Sequence, residues 1–268
     1  MSGTPQQTLD SSSQYEGLRF SFAEMEREIE NMRHLASHFL ERASAERVIP
    51  VWQQQLSTFK GQPPGSQTRW SIKETDPIQT IISPGKYEPR GRGGKTVFGR
   101  VSGAWDIQIP QITGKKKGGA QKSFTLHGLA STEITIWERL EGEQEPKKIM
   151  HWTVEIGDST SPGCHFHTQV KCGNAERKPL SVPRLPSLLH TPMDAVEFLL
   201  AELFQDEWNQ HTARENDFLK NWAHCQKLRL TKLLEWQLEE IRNTSGSPWT
   251  AFKKQKPPFD LFFTQLSA

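Results

Sequence analysis

The sequence predicts an α+β protein with a central antiparallel sheet, an N-terminal helix and two C-terminal helices. Apolar residues recur at three- and four-residue steps near both ends of the chain, which is typical of amphipathic helices. Between residues 68 and 172 the period changes to two, and β-branched and aromatic residues are frequent, which indicates strands. The connections between these strands are short, so we expect neighbouring strands to be antiparallel.

The chain is long enough, at 268 residues, for one large domain with a sizeable core. We predict a polar, mobile tail over residues 1–16 and a single α+β domain over residues 17–268. Within that domain, residues 17–62 are predicted to be helical, 68–172 to form the antiparallel sheet, and 191–268 to be helical.

Local signals place the first helices. Ser21 and Glu24 form a capping-box pattern, in which each side chain can satisfy the other residue's free backbone N–H. The apolar period allows this helix to continue to about Val48, ahead of Pro50, and residues 51–60 predict a second short helix.

Two further signals place the C-terminal helices. Thr191, Pro192 and Asp194 combine a cap, a proline at the first helical position and an acid in the first turn. Thr212 and Glu215 form a second capping-box pattern, which predicts the start of the last long helix.

The composition predicts a soluble cytoplasmic protein that does not enter a membrane. The mean hydropathy is -0.66, and no apolar run approaches the roughly 18 residues of a membrane-spanning helix. The first residues lack the basic start and apolar stretch of a secretory signal. The three cysteines form no C-x-x-C pair, which favours reduced thiols over a disulfide framework.

The net charge of +2 conceals a strong segregation of charge. Residues 84–122 contain nine basic and two acidic residues, a net charge of +7. Residues 191–242 contain six basic and ten acidic residues, a net charge of -4. The first region is therefore expected to attract polyanions and the second to repel them.

The segment SPGCHFHTQV, residues 161–170, is the clearest candidate for chemistry. Side chains alternate between the two faces of a strand, so two histidines one residue apart share a face. If this segment pairs with the strand before it so that Ile156 lies opposite Cys164, then Glu155 lies opposite His165. Cross-strand neighbours are about 5 Å apart at Cβ, so these polar side chains would form one patch.

The patch has two interpretations. Imidazole nitrogens and a carboxylate suit zinc or another divalent metal, so Glu155, His165 and His167 are candidate ligands. His151, on the same predicted face, would then transfer protons near neutral pH. The other interpretation is an ordinary polar strand face without a metal.

Basic residues between positions 84 and 122 form the second candidate site, for nucleic acid or another polyanion. The candidate contacts are Lys86, Arg90, Arg92, Lys95, Arg100, Lys115, Lys116 and Lys117. Trp70, Phe98 and Trp105 lie nearby in sequence and would stack on bases if they were exposed. The alternative is a pair of solvated hairpin loops at the same end of the sheet, with the aromatic residues in the core.

The third candidate site is a protein interface on the C-terminal helices. Trp208, Trp222 and Trp236 recur every 14 residues, close to four helical turns, and would form one stripe. This stripe either covers the sheet or contacts a partner, and the apolar end FDLFFTQL offers a second such surface.

No catalytic motif is complete, so we expect a non-catalytic binding protein, an adaptor or a regulatory subunit. It would act through macromolecular contacts with a protein partner or a second copy of itself, and through nucleic acid at the basic loops. The alternative is a metal-dependent hydrolase of a phosphodiester or similar anion. That alternative requires the histidines and Glu155 to converge.

Overall fold

A computed structural model of the chain has the α+β architecture that the sequence predicts. The structure describes residues 17–83, 96–111, 122–139, 142, 145–157, 164–171 and 184–263. The predicted tail at residues 1–16 lies outside the described residues. No helix in these described ranges is long and apolar enough to cross a membrane.

The elements of the N-terminal half are β1 (Arg19–Ser21), α1 (Phe22–Ala36), a π-helical turn (Ser44–Val48), α2 (Ile49–Lys60), β2 (Gln67–Ile72), β3 (Ile78–Gln79) and β4 (Val97–Gln108). They are followed by β5 (Ser123–Glu138), β6 (Lys147–Ile156), β7 (Phe166–Val170), β8 (Leu185–Pro186), α3 (Pro192–Thr212), α4 (Asp217–Asn243) and α5 (Pro248–Lys254).

The described strands form one antiparallel sheet in the order β2-β4-β5-β6-β7-β8. Beside this path, β1 pairs with β5 and β3 pairs with β4. Sequential strands from β4 to β8 are neighbours, so the antiparallel meander predicted from the short connections is confirmed. Among the described strands, β2 and β8 lie at the two edges of the main path.

The helix signals were only partly correct at the N-terminal end. The hydroxyl of Ser21 caps α1 by accepting a hydrogen bond from the Glu24 N–H. The predicted continuation to about Val48 is wrong, because α1 ends at Ala36. The chain beyond it is held by β3, where Glu41 N–H donates to the Gln79 carbonyl at 2.9 Å. Sheet hydrogen bonds therefore replace the helical ones that the local pattern allowed.

The start of α3 is as predicted and the start of α4 is not. Thr191 and Asp194 form a reciprocal capping box at the first residue of α3. Thr212, in contrast, lies in the last turn of α3, and its hydroxyl donates to the Trp208 carbonyl at 2.9 Å. Asn216, in an extended conformation, caps α4 instead by accepting from the Leu219 N–H at 2.8 Å.

The core lies between the sheet and the helices. At the β2 edge the rings of Trp52 and Trp70 stack 4.1 Å apart, and the Trp70 indole N–H donates to the Trp52 carbonyl. This contact joins α2 to β2. It holds the helix beside the strand at this edge of the sheet.

Candidate functional site

The hairpin of β6 and β7 has a different register from the one expected. Ile156 lies opposite Phe166, and Glu155 lies opposite His167, a shift of two residues. Gly157 N–H donates to the His165 carbonyl at 2.7 Å, so the hairpin closes at His165 and Cys164 lies outside the strand. The predicted pairing of Glu155 with His165 is therefore wrong.

The two histidines consequently have different surroundings. His167 is 1% exposed, with Nδ1 2.8 Å from the Cys164 carbonyl oxygen and Nε2 2.9 Å from Glu155 Oε2. His165 instead packs edge-on against the Phe166 ring at 5.1 Å and borders a small cleft beside Trp236 of α4. The described part of the chain contains no group of three or more His, Cys, Asp or Glu residues that could hold a metal. The predicted set of Glu155, His165 and His167 does not form a three-ligand site.

His151 belongs to a separate pair. Its Nε2 lies 3.3 Å from Glu133 Oε2, and Lys171 Nζ lies 3.2 Å from the other carboxylate oxygen. The adjacent His151 imidazole, followed by the charge of Lys171, lowers the pKa of Glu133 to about 2 despite partial burial. The predicted proton-transfer residue therefore pairs with Glu133 and not with Glu155.

The depressed pKa of Glu133 gives an acid-dependent contribution to stability. The unfolded carboxyl titrates near 4.5 and the folded one near 2, so the contribution is complete above pH 4.5 and is lost as the pH falls toward 2. We expect Glu133→Gln to lower the free energy of unfolding by about 1–2 kcal/mol at pH 7, a value reduced for solvent screening. In urea titrations the difference from the unsubstituted protein should shrink between pH 5 and pH 3. Glu235→Gln, at an exposed position of α4, is the control, and a pH-independent difference would contradict the prediction.

The basic site can be assessed only in part. The residues Lys86, Arg90, Arg92, Lys95, Lys115, Lys116 and Lys117 lie outside the described residues. Arg100 is half-buried, donates to Gln79 Oε1 at 2.7 Å, and lies over the Trp137 ring at 4.6 Å. Burial lowers the pKa of Arg100. Its guanidinium is therefore already engaged within the sheet.

The loops that carry the two basic segments lie outside the described residues, so the expected arrangement of these loops stays a prediction. The described chain shows only that the first segment precedes β4 and the second follows it. Trp70, Phe98 and Trp105 are each 2% exposed, so they are core residues and do not offer stacking surfaces for bases.

The tryptophan stripe also faces the core. Trp208 and Trp222 are 3% and 1% exposed, and the Trp222 indole N–H donates to Glu197 Oε2 at 2.8 Å. Trp236 is half-buried, and its ring packs edge-on against Phe166 at 6.0 Å. These three residues were predicted as a partner-binding surface, but their packing is intramolecular because α3 and α4 fold back onto the rest of the chain.

In the part of the chain that the structure describes, no strand pairs with the outer side of β2, a feature that the sequence did not reveal. The Ser66 carbonyl accepts from Ile109 N–H at 2.9 Å, on the side of β2 that pairs with β4. Backbone groups alternate direction along an antiparallel strand, so the N–H and C=O groups of Gln67, Arg69 and Ser71 point away from β4. The Ser71 N–H confirms this direction, because it donates outward to Gln55 Oε1 at 3.3 Å.

Helix α2 and strand β2 form the walls of a groove along this edge. The groove has a volume of about 710 Å³ and is lined by Val51, Gln54, Gln55 and Thr58 on the helix and by residues 66–71 on the strand side. A smaller pocket of about 120 Å³ shares Val51, Gln55 and Ser71 with it. Val51 is 52% exposed, so the helix wall of the groove presents an aliphatic surface.

The comparisons with known proteins identify no relative. No family model, curated protein or solved structure matches the chain. Function must therefore be argued from the geometry of the site.

Proposed function

We propose that this chain is a non-catalytic binding protein, an adaptor or regulatory subunit, that holds an extended segment of a partner protein against β2. The observation that carries the proposal is the row of outward backbone groups on β2 beside the α2 groove. An edge strand offers the same donors and acceptors that a neighbouring strand would use. An extended polypeptide satisfies them by adding one strand to the sheet.

The position of α2 supports this mode of binding. Every second side chain of an added strand would point toward α2, where the groove provides space for it. The stacked Trp52 and Trp70 rings join the two walls, so the groove is formed before any ligand binds. A preformed site loses little conformational entropy on binding.

The other candidate functions have less support. The hydrolase alternative lacks its ligand set, because His165 does not join Glu155 and His167. Nucleic acid at the basic segments is supported by the +7 charge of residues 84–122, but Arg100 is already paired within the sheet. We propose a cytoplasmic location, which the free thiols of Cys164 and Cys225 support.

A proline at position 71 tests strand addition. Ser71→Pro removes an outward N–H together with its hydrogen bond to Gln55 but leaves the hydrogen bonds to β4 in place, and edge strands tolerate proline. Trp70 is already extended, as a residue before proline prefers. We expect peptides selected on the full chain from a phage library of random 12-residue sequences to bind Ser71→Pro at least tenfold more weakly. Fluorescence anisotropy measures the dissociation constants, and Ser71→Ala, which keeps the N–H, should bind within about threefold of the original protein.

A second variant distinguishes a loss of peptide binding from a loss of folding. Val51→Arg places a long charged side chain in the groove at an exposed position and should weaken the same peptides without altering β2. Tryptophan fluorescence, to which all nine tryptophans including Trp52 and Trp70 contribute, checks the fold of both variants. Peptides that bind both variants as tightly as the unsubstituted chain would show that the groove is not the site. A selection that yields no groove-dependent peptide would also overturn the proposal.

A further inference from the structure

We infer that the partner segment carries a carboxylate opposite Arg69 and an uncharged residue on each side of that carboxylate. This inference rests on the proposed strand addition and names the class of segment that the groove selects. It depends on the position of the Arg69–Asp106 pair at the edge of the sheet and on the absence of charge from the α2 wall of the groove.

Arg69 is the central residue of the three whose backbone points outward. A strand added antiparallel to β2 would therefore exchange both backbone hydrogen bonds with Arg69, and its opposing residue would lie directly across from it. The side chain of that residue would share the face of the Arg69 side chain, with Cβ atoms about 5 Å apart. The chemistry of Arg69 thus decides which residue is accepted at this position.

The guanidinium of Arg69 has capacity for a second carboxylate. Its Nε and Nη2 atoms donate to Asp106 at 2.7 and 3.0 Å, which uses two of its five N–H groups. The Arg69 side chain remains 68% exposed. Asp106 lies on β4 directly opposite Arg69, on one side of the guanidinium. A carboxylate on the added strand would occupy the opposite flank and extend the pair into an acid–base–acid row.

The residues on either side of that carboxylate would face α2. The groove there is lined by Val51, Gln54, Gln55 and Thr58, none of which is charged. The nearest helix cation, Lys60, is already paired with Glu26 at 2.9 Å. A charged side chain in this groove would lose hydration without gaining a partner, so an aliphatic residue over Val51 or a small polar residue is preferred.

The same geometry disfavours a second copy of β2 as the occupant. A two-fold symmetric pairing that uses all three outward-facing residues sets Arg69 opposite Arg69 of the other copy. Like charges directly opposite each other on neighbouring strands destabilise the pairing. We therefore assign the groove to a segment of a different protein and not to a second copy of β2.

A charge swap tests the inference. Random 12-residue peptides displayed on phage are selected on the full chain and, in parallel, on the double variant Arg69→Asp/Asp106→Arg, which keeps the pair but reverses its order. The original chain should enrich Asp or Glu at one central position at least threefold over its frequency in the library, with uncharged residues beside it. The double variant should enrich Lys or Arg at that position. One selected peptide is then made in two versions, with Asp or with Lys at the central position. The original chain should bind the Asp version at least tenfold more tightly, and the double variant should bind the Lys version at least tenfold more tightly. Both differences in affinity should be smaller at 500 mM than at 50 mM NaCl.

The outcomes separate this inference from the proposed function. If both proteins select the same central residue while Ser71→Pro still abolishes binding, the carboxylate preference is wrong and strand addition stands. If Ser71→Pro and Val51→Arg leave binding unchanged, strand addition fails and the inference fails with it. Frequent charged residues at the two positions beside the carboxylate would contradict the inference that uncharged side chains face α2.

Discussion

Glu28→Leu is expected to lower the free energy of unfolding by about 3–5 kcal/mol, the usual cost of removing one partner of a buried ion pair. Glu28 on α1 is fully buried and Arg229 on α4 is 3% exposed. Arg229 Nη1 donates to Glu28 Oε2 at 2.6 Å, and Nη2 contacts the other carboxylate oxygen. The leucine variant leaves the Arg229 charge in the core without its closest counter-charge.

A double variant tests this explanation. Glu28→Leu/Arg229→Met removes both charges, and we expect it to recover most of the lost stability because apolar residues of similar size often replace buried ion pairs without loss. Glu46→Ala, which breaks the exposed pair with Arg42, is the surface control and should cost less than about 1 kcal/mol. Urea unfolding followed by tryptophan fluorescence measures all three variants. A double variant as unstable as Glu28→Leu would contradict the role of the charges.

The same pair is expected to influence the pH dependence of stability. Burial, the largest influence, raises the pKa of Glu28 to about 7, although Arg229 opposes the shift. The carboxyl of Glu28 titrates near 4.5 in the unfolded chain and near 7 in the folded one, so the folded state holds its proton more tightly. The free energy of unfolding therefore decreases as the pH rises from 4.5 toward 7. For Arg229, burial lowers the pKa, but the charges of Glu28 and Asp194 outweigh it and the net shift is upward. Arg229 therefore stays charged throughout this range.

Phe262→Ala is expected to lower the free energy of unfolding by about 3–5 kcal/mol, as is usual when a buried phenylalanine is truncated. The Phe262 side chain is fully buried near the end of the described chain. Its ring lies 5.7 Å from that of Phe20, 5.6 Å from that of Phe166 and 4.7 Å from that of His190. One ring thus joins β1, β7 and the segment before α3, so its loss leaves a cavity between three elements.

Phe263→Ala is the matched control for this prediction. Phe263 is half-buried and carries the Arg19 guanidinium over its ring at 3.9 Å. Its truncation should cost only about 1 kcal/mol, the range of a partly exposed cation–π contact. Urea unfolding and hydrogen exchange at the Arg19 amide, which donates to the Phe259 carbonyl, measure both variants. Equal losses in the two variants would show that the C-terminal segment is not anchored by Phe262.

The packing of Phe262 also corrects an expectation. The apolar end FDLFFTQL was a candidate interface, but Leu261 and Phe262 are buried in the chain's own core. The prediction that the tryptophan stripe binds a partner was wrong for the same reason, because these rings also pack within the chain. Apolar periodicity shows that a helix face is buried, but it does not distinguish a partner from the protein's own sheet.

The sequence by itself determined the features that depend on residues close together in the chain. The period of two between residues 68 and 172 and the helical periods around it predicted the α+β class. Ser21 and Thr191 marked helix starts correctly because a cap bonds to an N–H only three residues away.

Tertiary structure decided the features that depend on distant residues. The end of α1 depends on the hydrogen bond that the Gln79 carbonyl accepts from Glu41, and the partners of His167 depend on how the β6–β7 hairpin closes at His165. The position of β2 at an edge of the described sheet follows from the strand order and not from the residues of that strand. Strand order depends on contacts between residues far apart in sequence, and the register of a hairpin depends on the geometry of its turn, so the period of the strands alone determines neither.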